Sequence, residues 1–248
     1  MIKPACLIVQ PKHLDFPIFR YNMHRFKKYF SSIWIALSDH YVPNQDLGNF
    51  CRAQLPFANF IEFERTRPDW RDDAVNNLLD KTKDEKYILF FEQDFLIKDD
   101  SFFEKVFKDD VDFAYYKEDQ RIHPAFALVK RELIEKTSKN FSAWPPGDHF
   151  YKFFNELPEG IDIEHLGVKQ REDYIHLAGL SQNYQNFKYG DPFFKPNNFL
   201  IYNWLSMQFP IQHPLFNSIQ QQIENKFGHP KSHIYMGNFF PKEFSEKL

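Results

Sequence analysis

Along its first 180 positions the chain alternates short apolar runs with amphipathic stretches. Three runs are continuous: Ala5–Gln10, closed by Pro11; Ser32–Ser38, ending in Asp39; and Lys86–Phe91, stopping in Glu92-Gln93-Asp94. Continuous hydrophobicity predicts strands covered on both faces, as in a parallel sheet between helices. Asn59–Glu64 alternates instead, which suits an edge strand. In Arg20–Phe30, Met23, Phe26, Tyr29 and Phe30 recur at helical spacing. Asp69–Asp80 is the clearest helix: Asp69 can cap it, Asp72 and Asp73 favour its positive first turn, and Val75, Leu78 and Leu79 make its core face. The order β-α-β-β-α-β predicts a mostly parallel, Rossmann-like α/β sheet flanked by helices. Further on, Ser101–Phe107, Lys130–Thr137 and His149–Leu157 read as helices, the first capped by Ser101. Asp112–Tyr116, Ala125–Val129 and Tyr174–Leu177 read as strands, and Trp144–Asp148 as a loop. In the last of these helices Phe150, Phe153, Phe154 and Leu157 should face inward.

Beyond Ser181 the pattern changes to Asn, Gln, Pro and aromatics with little aliphatic periodicity, although Phe199–Met207 and Pro214–Phe227 could be helical. This sets residues 1–181 apart as the α/β domain and 182–248 as a C-terminal helical and aromatic extension packed on it. Of 248 residues 30 are Phe, read first as packing bulk. Only 8 are Gly, and neither GxGxxG nor GxxxxGK[ST] occurs, so a nucleotide would need another device to hold it. The formal net charge is −3, unevenly spread: seven Lys/Arg face three Asp/Glu in residues 1–60, and six face four in 182–248. The middle is therefore acidic between basic flanks, a distribution that a solvated surface would also produce. Two lone cysteines, Cys6 and Cys51, make neither a zinc motif nor a disulfide framework. With too short an apolar start for a signal peptide and no apolar run long enough to span a membrane, the expectation is a soluble cytoplasmic protein.

The abrupt end of the Lys86–Phe91 strand is where the chemistry concentrates. Glu92 and Asp94, one residue apart at a carboxyl end, stand where α/β folds bind ligands and could both face Mg²⁺ or Mn²⁺. The same carboxylates could do no more than end the strand and cap the next turn.

Taken together, the strand ending in Asp39, the Arg71–Asn76 helix, Glu92-Gln93-Asp94, Asp148-His149 opening a helix and His176 near the end of the α/β part resemble the nucleotide-sugar glycosyltransferases of the GT-A fold. The resemblance is one of order and spacing, over residues 1–181. It implies that Glu92-Gln93-Asp94 stands for the family's Asp-x-Asp motif. Asp94 would be a direct ligand of Mn²⁺ or Mg²⁺, and Glu92 would contact ribose or a metal-bound water. His176 would complete the metal shell. Asp39, Arg71 and Asn76 would face the nucleotide of a UDP-sugar or other nucleotide-diphosphate sugar, although Val75 stands where the family often has Arg. Asp148 would be the general base of an inverting transfer to an acceptor hydroxyl on a glycan, a small molecule or a modified pyrimidine in DNA. Each of these residues also has a plain structural role open to it: turn, cap, surface ion pair or buried histidine. His123, in Arg121-Ile-His-Pro-Ala-Phe126, is a candidate for the wall of the binding site only.

Two other readings stay open. A nucleotidyltransferase would share the acids, metal and diphosphate, but Gln10-Pro-Lys-His13 lacks the glycines expected after its first strand. A non-catalytic nucleotide- or nucleic-acid-binding module would use the C-terminal aromatics, among them Tyr184, Phe187 and Trp204, with basic neighbours such as Lys188.

Overall fold

A computed structural model describes residues 1–9, 16–38, 45–63, 70–118, 121–141, 150–170 and 172–177, with helical positions 214, 217–218, 221–222 and 225. The proposed boundary near 181, Asp39, Asp69 and the Trp144–Asp148 loop lie outside the described residues, as does nearly all of the C-terminal extension.

The described strands and helices follow in the order β1 (Ala5–Val9), α1 (Phe16–Phe26), β2 (Ser32–Ser38), α2 (Gln45–Gln54), β3 (Asn59–Phe63), α3 (Trp70–Lys81), β4 (Tyr87–Phe91), β5 (Phe95–Ile97), α4 (Ser101–Val106), β6 (Phe113–Glu118), β7 (Arg121–Lys130), α5 (Arg131–Ile134), α6 (Tyr151–Glu156), β8 (Ile161–Asp162) and β9 (Tyr174–His176). Seven strands form one sheet in the order β3-β2-β1-β4-β7-β6-β8, and β5 pairs with β9 in a second, two-stranded sheet. Pairings β3-β2, β2-β1, β1-β4 and β6-β8 are parallel; β7 runs antiparallel to both its neighbours. The mostly parallel sheet flanked by helices is thus present, with β3 at its edge as its alternation requires.

Both faces are covered. Cys6, Ile8, Leu89 and Phe91 pack into one apolar cluster with α1 and α4, whereas Ala5, Leu7, Ile88 and Phe90 pack into another with α3 and α6. Successive strand residues point to opposite faces, so two buried faces require an unbroken apolar run. Phe153 and Phe154 of α6, and Phe150 and Leu157 flanking it, are buried as their spacing implies. Burial also pushes the Cys51 thiol up to about 12, and the Cys6 thiol higher still. Among the described residues no helix is long and apolar enough to cross a membrane.

Several elements differ from the sequence pattern. The first helix begins at Phe16 rather than Arg20 and ends in a 3₁₀ turn, Lys27–Tyr29. Pro17 sits in its first turn, where a missing N–H is harmless. Ser101 does not cap α4; its backbone N–H is instead accepted by the Asp99 carboxylate at 2.8 Å. Strand β7 is twice the length of Ala125–Val129, because it continues through Pro124 with a shift of partner.

Candidate metal and nucleotide site

The sheet order reverses direction between β1 and β4: β2 and β3 follow on one side of β1, and β4 lies on the other. In open α/β sheets, ligands bind outside the carboxyl ends of strands at such a point. A cleft opens there, lined by Leu7 and Val9 of β1, Glu92 and Asp94 after β4, Arg71 of α3, and Phe150. Phe150 has φ 71, the left-handed region that costs a bulky residue about 1–3 kcal/mol. Its ring is wedged against Phe90 and Phe141, with centroids 5.3 and 5.2 Å away.

Of the Arg71–Asn76 string, only Arg71 lines this cleft. Asp72 accepts a hydrogen bond from the Phe141 N–H, and the Asn76 amide donates to the Lys139 carbonyl at 3.4 Å. Two of the string's polar side chains thus fasten α3 to the segment leading out of α5. Asp39 and Asp148 lie outside the described residues.

Backbone pairing brings Asp94 and His176 together. Phe95 pairs with His176 in the β5-β9 sheet, and the Asp94 carbonyl accepts from Leu177 N–H at 2.9 Å. Strand β5 is held from the other side by the buried Asn22. Its amide donates to the Phe95 carbonyl at 2.7 Å, and its Oδ1 accepts from Ile97 N–H at 3.1 Å. Phe95 in turn stacks on Tyr174, with centroids 4.7 Å apart.

Around His176 four more polar groups converge. Its Nε2 is 3.7 Å from Asp94 Oδ1 and its Nδ1 is 3.4 Å from Glu118 Oε2. The His123 ring lies 4.8 Å away, centroid to centroid. One ligating atom each from Glu92, His123 and His176 fall within 4.8 Å of one another. The His176 side chain is only 2% exposed, and among the described residues neither ring nitrogen makes a hydrogen bond. Burial alone would lower its pKa. The carboxylates of Glu118, Asp94 and Glu92 outweigh that and raise it above the ordinary histidine value, with Glu118 and Asp94 acting at ion-pair distance.

The buried imidazole, with neither nitrogen hydrogen-bonded among the described residues, faces three carboxylates, and such mixed oxygen and nitrogen donors suit a divalent metal such as Mn²⁺. The residues present therefore fit such an ion. His123 and Glu118 are the participants that sequence reasoning did not place at this centre. His123 lacks recognisable ligand spacing, since 53 positions separate it from His176. It arrives because β7 kinks at Pro124, which shifts the β6 partner from Ala127, opposite Tyr115, to His123, opposite Tyr116.

No family model matches the sequence, and no curated protein matches it. Among solved structures it is similar to a mannosyltransferase from Pyrobaculum calidifontis, solved in complex with GDP-Man and Mn²⁺. That similarity is 10% identity over 90% of this chain and 70% of that one, with a TM-score of 0.47. It is also similar to the inositol-1-phosphate CTP transferase from T. maritima (11% identity, 66% and 79% covered, TM-score 0.38). A third is a glycosyltransferase involved in glycosylation of the major capsid of PBCV-1 (10% identity, 75% and 100% covered, TM-score 0.36). At this distance they carry no argument for the activity of this chain.

Proposed function

We propose that the chain is a metal-dependent glycosyltransferase. It transfers a sugar from a nucleotide-diphosphate sugar, a UDP-sugar in the first instance, to an acceptor hydroxyl with inversion. The observation that carries this reading is the convergence of Glu92, Asp94 and the hydrogen-bond-starved His176 beside a cleft at the β1-β4 switch point. Asp94 and His176 would hold Mn²⁺ or Mg²⁺, with Glu92 in support. Such a cation supplies charge neutralisation for a departing diphosphate.

Arg71, at the cleft wall, gives the donor phosphates a planar cation able to bind them in two places. Apolar Leu7 and Phe150 exclude water beside it. Asp39 on the nucleotide and Asp148 as the base that takes the acceptor proton belong to the same proposal; both rest on the resemblance of the sequence. Asn76 belongs to the nucleotide side of that resemblance, although its amide is engaged by Lys139.

A thermal-shift panel of nucleoside diphosphates, nucleoside triphosphates and nucleotide-sugars, with and without Mn²⁺, tests the reading, because a ligand of the folded state raises its melting point. The expected result is a Mn²⁺-dependent shift with a nucleotide-diphosphate sugar, followed by sugar transfer or hydrolysis without pyrophosphate exchange. Pyrophosphate exchange with a nucleoside triphosphate would replace this reading by nucleotidyl transfer, and no shift with any nucleotide would remove it.

A further inference from the structure

We infer that Glu118 is a positioning residue for His176, part of a relay that keeps the proton of the neutral ring on Nδ1 and leaves the Nε2 lone pair facing Asp94. The relay begins where the β6–β7 register shifts around Pro124. The Ala125 N–H donates to His123 Nδ1 at 3.1 Å. A ring nitrogen that accepts a hydrogen bond carries no proton, so neutral His123 is protonated on Nε2.

That Nε2 stands 3.5 Å from Glu118 Oε2, and the same oxygen is 3.4 Å from His176 Nδ1. One carboxylate oxygen thus faces two imidazole edges, and it needs a proton on each. The His123 edge already presents one, which turns Glu118 toward the pair of rings. On the far edge of His176, Nε2 is 3.7 Å from Asp94 Oδ1. Neither nitrogen of the buried ring is hydrogen-bonded among the described residues, so the proton of the neutral ring is placed by the nearer carboxylate, Glu118 at 3.4 Å, and Nδ1 keeps it. A histidine that ligates metal through one nitrogen commonly donates its other N–H to a carboxylate, which fixes the tautomer and the ring plane. Glu118 occupies that place. His123, with Nδ1 engaged by a backbone amide, supports Glu118 rather than offering a lone pair of its own.

The use of the freed Nε2 rests on the proposed metal site; the placement of the proton does not, and the two can fail separately. The test uses the full chain labelled with ¹⁵N-histidine, metal-free at mildly alkaline pH, where the neutral rings dominate. Long-range ¹H–¹⁵N correlations report the tautomer, with signals assigned from His176→Gln and His123→Gln. His176 is expected as the Nδ1–H form and His123 as the Nε2–H form. Glu118→Ala should release His176 to the Nε2–H form and weaken Mn²⁺ binding, measured by calorimetry, by about 10–100-fold. Glu118→Gln, whose amide oxygen still accepts from Nδ1–H, should restore the tautomer and most of the affinity.

An Nε2–H His176 in the parent protein would overturn the inference, as would a tautomer and Mn²⁺ affinity that Glu118→Ala leaves unchanged. A parent that shows the Nδ1–H form but binds no Mn²⁺ would support the relay and overturn the metal reading instead.

Discussion

Asp94→Asn is the sharpest perturbation of the proposed centre, because it changes charge and almost nothing else. The side chain keeps its shape, and the tie between the two strands runs through the Asp94 carbonyl and Leu177 N–H, which the substitution leaves intact. What disappears is a carboxylate only 12% exposed, 3.7 Å from His176 Nε2. Removing one partner from a buried charge pair costs roughly 3–5 kcal/mol. At about 1.4 kcal/mol per decade, Mn²⁺ affinity should fall by about two to three and a half orders of magnitude. Scanning fluorimetry reads this directly. At a Mn²⁺ concentration about 100 times the parent Kd, binding stabilises the fold by about 2.7 kcal/mol. For a chain of this size each kcal/mol moves the melting point by about 2–4 °C, so the parent should shift by roughly 5–11 °C. In Asp94→Asn the same concentration is at most about equal to the new Kd, which leaves about 0.4 kcal/mol and a shift of about 1 °C. Circular dichroism should show an unchanged fold. A variant that keeps the parent's Mn²⁺-induced shift would refute the assignment of Asp94 as a ligand.

Other expectations follow from the same geometry. Arg71→Ala should weaken nucleotide-diphosphate binding by about tenfold to a hundredfold, the loss of a charged hydrogen bond worth about 1.5–3 kcal/mol, while Mn²⁺ alone binds as in the parent; calorimetry separates the two. His176 has a folded pKa raised above its ordinary value of 6.5, so in the metal-free protein its charged form stabilises the fold. That contribution is fully present below about 6.5 and lost as pH rises through the folded value, whereas Mn²⁺, which competes with the proton, should stabilise more as pH rises; melting curves across that window check both signs. Asn22→Ala leaves the Phe95 carbonyl and Ile97 N–H without their buried partner and should cost about 2–5 kcal/mol in denaturant unfolding, with faster hydrogen exchange at Ile97. Both cysteines are buried, with thiols raised far above neutrality, so a thiol reagent at mildly alkaline pH should label neither in the native protein and both after denaturation.

The sheet was legible where strands are buried on both faces, since β1, β2 and β4 then read as unbroken apolar runs. Elements escaped where that signal is weak. Helix α2, Gln45–Gln54, is polar and carries Gly48 in its middle. Strand β5 has three residues and merges with the acidic turn before it, while β8 has two. The start of β7 was hidden by Pro124, which reads as a strand breaker but here marks a kink. The candidate site was legible in the same uneven way. Asp94 and Glu92 stand out by ending a strand, whereas Arg71 entered only through the family resemblance of the Arg71–Asn76 string. His123 and Glu118 reach the centre only through long-range pairing of β6 with β7, which no local spacing encodes.

The central claim is that a divalent cation sits between Asp94 and His176 at the carboxyl end of β4, beside the diphosphate of a sugar donor. Anomalous diffraction from a crystal grown with Mn²⁺ and a nucleotide-diphosphate sugar tests it most directly. The account predicts a single strong anomalous peak within bonding distance of Asp94 Oδ1 and His176 Nε2, with the diphosphate on the Arg71 side. A peak elsewhere, or a donor bound with Asp94 and His176 contacting neither metal nor phosphate, would contradict it.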